Sequence, residues 1–237
     1  MIRQTYLMID LFSIAVPLLA SFHPASNLYK RWYALLPSIA LTTIIYVVWD
    51  SWFTHKGLWG FNPDYLMGRY IGNLPVEEIL FFVCIPYACV FTFDSFANFN
   101  WLKKNSGSVS VINYTLSGLL LLAAIIYHSR YYTAAAFTLL AVLILIVNYR
   151  KPDWMPRFYI VYLILMVPFM IVNGLLTGTG LAAPVVWYSS NAIMGPRILT
   201  IPVEDIFYGM GLVLANVWLY ELLRRDNRKL TSLSIVK

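Results

Sequence analysis

Charge is scarce in this chain. Of its 237 residues 12% are charged and only eleven are acidic, while 60% are hydrophobic and the mean hydropathy is +0.68. Those values exclude an ordinary soluble domain. Cysteine is scarcer still: Cys84 and Cys89, five residues apart in one apolar run, suit neither a disulfide nor a metal site and read as small core residues. The three histidines, His23, His55 and His128, fall in or beside loops without metal-ligand spacing. Phosphate-binding glycine loops, dinucleotide fingerprints and nucleophile elbows are absent. So is the Asp-rich stretch typical of Mg²⁺-dependent lipid-phosphate enzymes. Together these gaps point to chemistry without a metal or a redox cofactor.

Long apolar runs, in contrast, are plentiful. Windows of about twenty residues almost free of charge recur at 5–22, 33–53, 76–96, 111–127, 132–149, 158–178 and 202–223, as bilayer-spanning helices require. The first follows a lone Arg3 and precedes no small-residue cleavage site, so it reads as a retained helix and not a signal peptide. Seven spans set the termini on opposite sides. Arg3, Lys56, Arg69, Arg130 and Arg197 then share one side, and the other twelve Lys and Arg residues share the opposite one. The positive-inside rule makes the richer side cytoplasmic and the N-terminus external, in a cell (inner or plasma) membrane. The net charge of +6 is thus a topology signal. Basic residues scattered over short loops do not make a nucleic-acid patch, and the cluster at Arg224, Arg225, Arg228 and Lys229 is expected to grip anionic headgroups.

The few acids are concentrated. Pro75-Val76-Glu77-Glu78-Ile79 returns as Pro202-Val203-Glu204-Asp205-Ile206, each time opening an apolar run. Aligned without gaps, 75–94 and 202–221 also match Phe81 with Tyr208 and Asp94 with Glu221. The late acids lie roughly 28 Å along each helix and read as end-caps or partners of basic loop residues. Upstream, Asp50 closes the second run about as Asn173 closes the sixth. The expected fold is therefore an all-α integral membrane protein of about seven transmembrane helices. Two parallel-related three-helix repeats, 1–105 and 131–237, are joined by a linker helix within 106–130. The two long outer loops, 55–74 and 179–201, carry Trp59, Phe61, Tyr65, Tyr70, Trp187 and Tyr188. Their mixture reads as an interfacial aromatic belt ahead of a substrate-contacting lid.

Ionisable groups in membrane segments are costly and tend to face an interior or a site. Glu77, Glu78, Glu204 and Asp205 are therefore the candidate catalytic residues, supported by Pro75, Pro202, Asp50 and Asn173. Proline in a first helical turn costs no hydrogen bond, and acids there suit the helix dipole, so a purely structural role also exists. Consecutive helical residues point about 100° apart, so Glu77 and Glu78 cannot both aim at one spot. The strictly repeated Glu77 and Glu204 are the expected inner pair. Two carboxyls held in different environments make an acid–base couple.

Paired Pro-x-Glu-[Glu/Asp] motifs, each opening a membrane helix in a small duplicated protein, resemble those of the integral-membrane, non-flavin lycopene cyclases. Asp50 and the Gly57-Leu58-Trp59-Gly60-Phe61 stretch belong to the same resemblance; the second half departs from it with Asn173 and Gly178-Thr179-Gly180-Leu181. In that family the halves are separate subunits in some bacteria, and this chain looks like the single-polypeptide form. The resemblance implies a lycopene β-cyclase of carotenoid biosynthesis, making γ- or β-carotene. The reaction would be a cofactor-independent, acid–base isomerisation through a carbocation, and lycopene and the lipid bilayer would be the partners. Competing readings are a carotenoid end-group hydratase, a small proton-coupled transporter, or an assembly subunit whose acids pair with a partner.

Overall fold

The computed structural model describes residues 3–98 and 106–235, and their side chains for 3–97 and 109–224. The expected contributions of Lys103, Lys104, Arg225, Arg228, Lys229 and Lys237 to the charge pattern lie outside those side chains. Seven helices account for most of the chain: α1 Thr5–Ala20, α2 Trp32–His55, α3 Val76–Ser95, α4 Ser106–Ile126, α5 Tyr131–Tyr149, α6 Met155–Leu176 and α7 Val203–Ile235. They match the seven apolar runs, but α7 continues well past the expected end near 223 into the polar tail. The last six are long and apolar enough to cross a membrane. At 16 residues α1 rises only ~24 Å, short of a ~30 Å hydrocarbon core. It joins the bundle by packing against α3.

Prolines 17, 37, 86 and 168 lie inside α1, α2, α3 and α6 without ending them. Within a bundle, neighbouring helices help to satisfy the carbonyls that such prolines release. The repeat governs the packing: α1 lies on α3 as α5 lies on α7, and α2 bridges α3 and α7. One continuous apolar core includes Val90 and Phe93 of α3, Leu140 and Ile144 of α5, and Leu214 and Val217 of α7. Cys84 and Cys89 are buried free thiols, as their spacing implied.

The two long loops hold more structure than the sequence suggested. Six short strands occur there: β1 Trp59–Phe61, β2 Tyr70–Ile71, β3 Leu74–Pro75, β4 Val186–Tyr188, β5 Arg197–Ile198 and β6 Ile201–Pro202. In the β2–β3 hairpin Tyr70 faces Pro75; in β5–β6 Arg197 faces Pro202. These pairs keep the 127-residue offset that separates Pro75 from Pro202. The same offset relates the left-handed turn residues Gly72 (φ 64°) and Leu199 (φ 56°). It also relates the carbonyls that receive the first free helical N–H: Val76 donates to Arg69 at 3.0 Å and Val203 to Pro196 at 3.2 Å.

The remaining pair, β1–β4, joins the halves. It is antiparallel, with Gly60 opposite Trp187, and those two positions are also equivalent under the 127-residue offset. A strand meets its own equivalent antiparallel only across a two-fold axis. The pseudo-symmetry axis therefore runs through this pair and along the bundle, the arrangement expected of repeats with the same orientation.

At the opposite end the late acids are clasped by arginines. Arg31 meets Asp94 at 2.8 Å and Arg157 meets Glu221 at 3.0 Å, while Arg224 reaches both acids at 3.3 and 3.5 Å. Tyr220 adds a 2.7 Å hydrogen bond to Asp94. Pairing with basic residues at the helix ends is what the sequence reading assigned to these two acids.

Candidate active site

Of the ten acids whose side chains are described, eight are buried: Asp10, Asp50, Glu77, Glu78, Asp94, Glu204, Asp205 and Glu221. Asp94 and Glu221 belong to the arginine clasp. The other six gather at the strand end of the bundle, where the first turns of α3 and α7 begin.

A cavity of about 720 Å³ opens beneath the strands. Its walls come from α1, α3, α6 and α7, and Trp59, Phe61, Val186 and Tyr188 of β1 and β4 line its strand end. Along α3 the lining runs from Glu78 to Thr92, a rise of ~21 Å. Most of that length is apolar, with Ile85, Leu165, Met166 and Val213 among the contributors. The carboxyls converge at the strand end, where burial closes the cavity: Asp50, Glu78 and Asp205, with Asn173, Tyr6, Tyr132, Tyr188 and Tyr208 around them.

The two motif acids that face the cavity are held alike. Glu78 Oε2 accepts the Tyr6 hydroxyl at 2.5 Å. Asp205 Oδ1 accepts the Tyr132 hydroxyl at 2.7 Å, and its Oδ2 accepts Asn173 Nδ2 at 2.8 Å and the Tyr188 hydroxyl at 3.0 Å. In the first half, the residue corresponding to Asn173 is Asp50, whose carboxyl adjoins that of Glu78. The Trp59 indole N–H donates to Asp50 Oδ1. One motif acid therefore faces an amide and its counterpart faces a second acid. Tyr188 is outside the membrane helices, in β4, and is one of the residues that line the cavity. Burial first, then the nearby Asp205 carboxylate, push its hydroxyl well above the usual tyrosine range, so it remains a donor.

Glu77 and Glu204, the expected inner pair, do not line this cavity. Both are fully buried, and each accepts a loop N–H at 2.6 Å, from Met67 and Met194 respectively. Thr133 adds a 2.5 Å hydrogen bond to Glu204. The helical turn of about 100° per residue explains the exchange: one acid of each pair points back into the loop, and its neighbour points inward. The prolines also sit one place earlier than expected. Pro75 (φ −65°, ψ 149°) caps α3 in an extended conformation and closes the hairpin instead of occupying the first turn.

Several groups escaped the sequence reading. Tyr6 and Tyr132 open the first helices of the two halves, a coincidence that extending the repeat upstream would have exposed. Asp10 lies in the middle of apolar α1, fully buried beside Glu77, with neither oxygen hydrogen-bonded among the described residues. A lone acid inside an apolar helix carries information by itself. The outer aromatics divide: Trp187 and Tyr70 are exposed, as a belt requires, but Trp59 and Tyr188 contact the acids and cap the cavity.

The family described as Lycopene cyclase matches the chain twice, over residues 3–96 and 129–223. Each match covers one helical triplet with its acidic motif. No curated protein and no solved structure matches the chain.

Proposed function

Because this chain belongs to the lycopene cyclase family, we propose that it closes β-type rings on the ends of lycopene, yielding γ- or β-carotene, with Glu78, Asp50 and Asp205 moving the protons. The observation that carries this reading is the cavity itself: a long apolar slot whose blind end holds carboxyls from both halves.

Cyclisation needs one proton in and one proton out. A carboxyl proton adds to the terminal alkene and leaves a tertiary carbocation. The π electrons of the neighbouring alkene then form the ring-closing C–C bond, and loss of a ring proton restores a double bond. Atoms and electrons balance without a redox partner. Adjoining carboxyls can hydrogen-bond to each other only when one carries a proton, so the Asp50–Glu78 pair suits the donor role. Asp205 receives three donors, an environment suited to an acceptor-only carboxylate, and is the proposed base. Glu77 and Glu204 are proposed to keep the two loops seated over the site. Around it, Tyr132 lies 5.1 Å from Trp59, 5.7 Å from Tyr188 and 5.8 Å from Tyr208, centroid to centroid. Such rings attract a cation through their faces.

The charge pattern supports an orientation with the arginine-clasp end in the cytoplasm and the strand end outside, in a cell membrane. The two matched segments support a division at 1–105, 106–130 and 131–237.

The test is expression of this chain alone in a lycopene-accumulating bacterial host, followed by pigment chromatography and mass measurement. Lycopene should give way to a product of unchanged mass. A product heavier by one water would assign a hydratase instead. Unchanged lycopene in membranes that contain the protein would sink the reading.

A further inference from the structure

A duplicated frame with acids from both halves at its centre should open equally on both sides of its axis, yet the volume beside those acids is hollow on one side and packed on the other. The cavity lies between α1 and α6. Their symmetry equivalents, α5 and α2, border the mirror volume, which is filled. Tyr46, Phe82 and Leu212 are buried there, with Leu139 packed on them. The Tyr46 ring stands 5.7 Å from Phe82 and 5.2 Å from Tyr208, and its hydroxyl abuts Gly211 of α7.

Residue size accounts for the asymmetry. The 127-residue offset of the motifs sets Phe82 against Gly209. The offset between Tyr6 and Tyr132 sets Leu139 against Ser13. Gly209 and Ser13 line the cavity; Phe82 and Leu139 fill its twin. A Cβ at Gly209 would come within 3.3 Å of the Phe169 ring, so the wall on that side has no room for a larger residue without narrowing the slot.

We propose that the protein has a single working cavity, with its mouth between α1 and α6, and therefore treats one end of its substrate per visit. This rests on the cyclase reading above. The most exposed lining residues, Phe12 and Val16 of α1 and Ile171 of α6, mark the lipid-facing mouth. The acids of both halves sit together at the closed end. An extended chain inserted end-first thus presents one terminus to them and leaves the other in the bilayer. A second ring requires the monocyclic product to withdraw, reverse and return. The reaction that consumes the first product is this same reaction on the opposite terminus.

The experiment is a time course on the full-length protein in liposomes loaded with isotopically labelled lycopene, chased early with excess unlabelled lycopene. Free monocyclic product should accumulate in molar excess over the protein. The chase should suppress any labelled dicyclic product. Labelled dicyclic product forming through the chase, without free monocycle, overturns the inference while leaving the cyclase reading intact. Absence of any cyclised product overturns both. A paired comparison fixes the side: Gly209→Leu should lose cyclisation while retaining the unfolding temperature of the parent, and Phe82→Leu should keep the parental ratio of products. The reverse pattern would assign the working side to α2 and α5 and refute the proposal.

Discussion

The hydroxyl of Tyr6 lies 2.5 Å from Oε2 of Glu78, joining the first turn of α1 to the first turn of α3. Tyr132 repeats the contact on Asp205 at 2.7 Å. Each tyrosine fixes the direction of an acid that helix geometry alone leaves free. Removing such a hydrogen bond to a charged or reacting group costs about 1.5–3 kcal/mol. Tyr6→Phe and Tyr132→Phe should therefore each lower turnover by at least about tenfold, measured as pigment formed per folded protein. Full activity in both would show that the tyrosines are only packing.

The four motif acids should divide by neighbour and not by half. Glu78→Gln and Asp205→Asn are expected to lose at least about a hundredfold in rate, the scale of a missing acid or base. Glu77→Gln and Glu204→Gln keep a carbonyl that can accept the Met67 or Met194 N–H, so they should stay within a few-fold of the parent. Glu77→Leu strips that acceptor and leaves a loop N–H unpaired, at a cost of about 1–3 kcal/mol. A lowered unfolding temperature is its expected signature. Equal rate losses in all four conservative variants would contradict the division.

Tyr188 donates to Asp205 from outside the helices, and its hydroxyl is held protonated beyond the usual tyrosine range. A raised value in the folded protein means that ionisation begins only above the ordinary pKa of about 10. Stability tied to this group is present below that pH and is lost as pH rises through the higher folded value. The rate ratio between the parent and Tyr188→Phe should accordingly stay flat from about pH 6 to about pH 9. A ratio that changes steeply across that window would mean that another ionisation depends on this hydroxyl.

Asp94 serves two arginines and a tyrosine at the far end of the bundle. Breaking a buried ion pair from one side costs about 3–5 kcal/mol because the partner charge is left uncompensated. Asp94→Asn should depress the unfolding temperature in detergent markedly while the activity per folded molecule stays near that of the parent. Intact stability with lost activity would mean that this clasp takes part in the chemistry.

What could be read in the sequence followed from what one-dimensional patterns encode. Apolar length located the seven helices, and the repeated Pro-Val-Glu-acid motif located the strand end of α3 and α7. The late acids, Asp94 and Glu221, read as end-caps or as partners of basic residues, and it is arginines that they meet. Which acid of each pair faces inward depends on helix phase relative to neighbours, and no count of residues supplies that. Local identity favoured Glu77 and Glu204, but strict repetition there reflects a backbone contact shared by both loops. Tyr6, Tyr132 and Tyr188 reach the acids from distant segments, so their roles exist only after folding. Asp10 was legible and passed over.

The β1–β4 pair has a consequence for how such a protein can be assembled. Its two strands come from different halves, and Trp59 and Tyr188 are carried on them, one reaching Asp50 and the other Asp205. Each half lays an aromatic on its own acid, but the two-stranded roof forms only when both strands are present. A chain severed in the linker would yield two fragments that each hold half a reaction centre open to water, and chemistry that needs a shielded cation could begin only after they meet. The seam between the halves thus doubles as a safeguard: an unpartnered fragment is inert, and the act of pairing completes the enclosure.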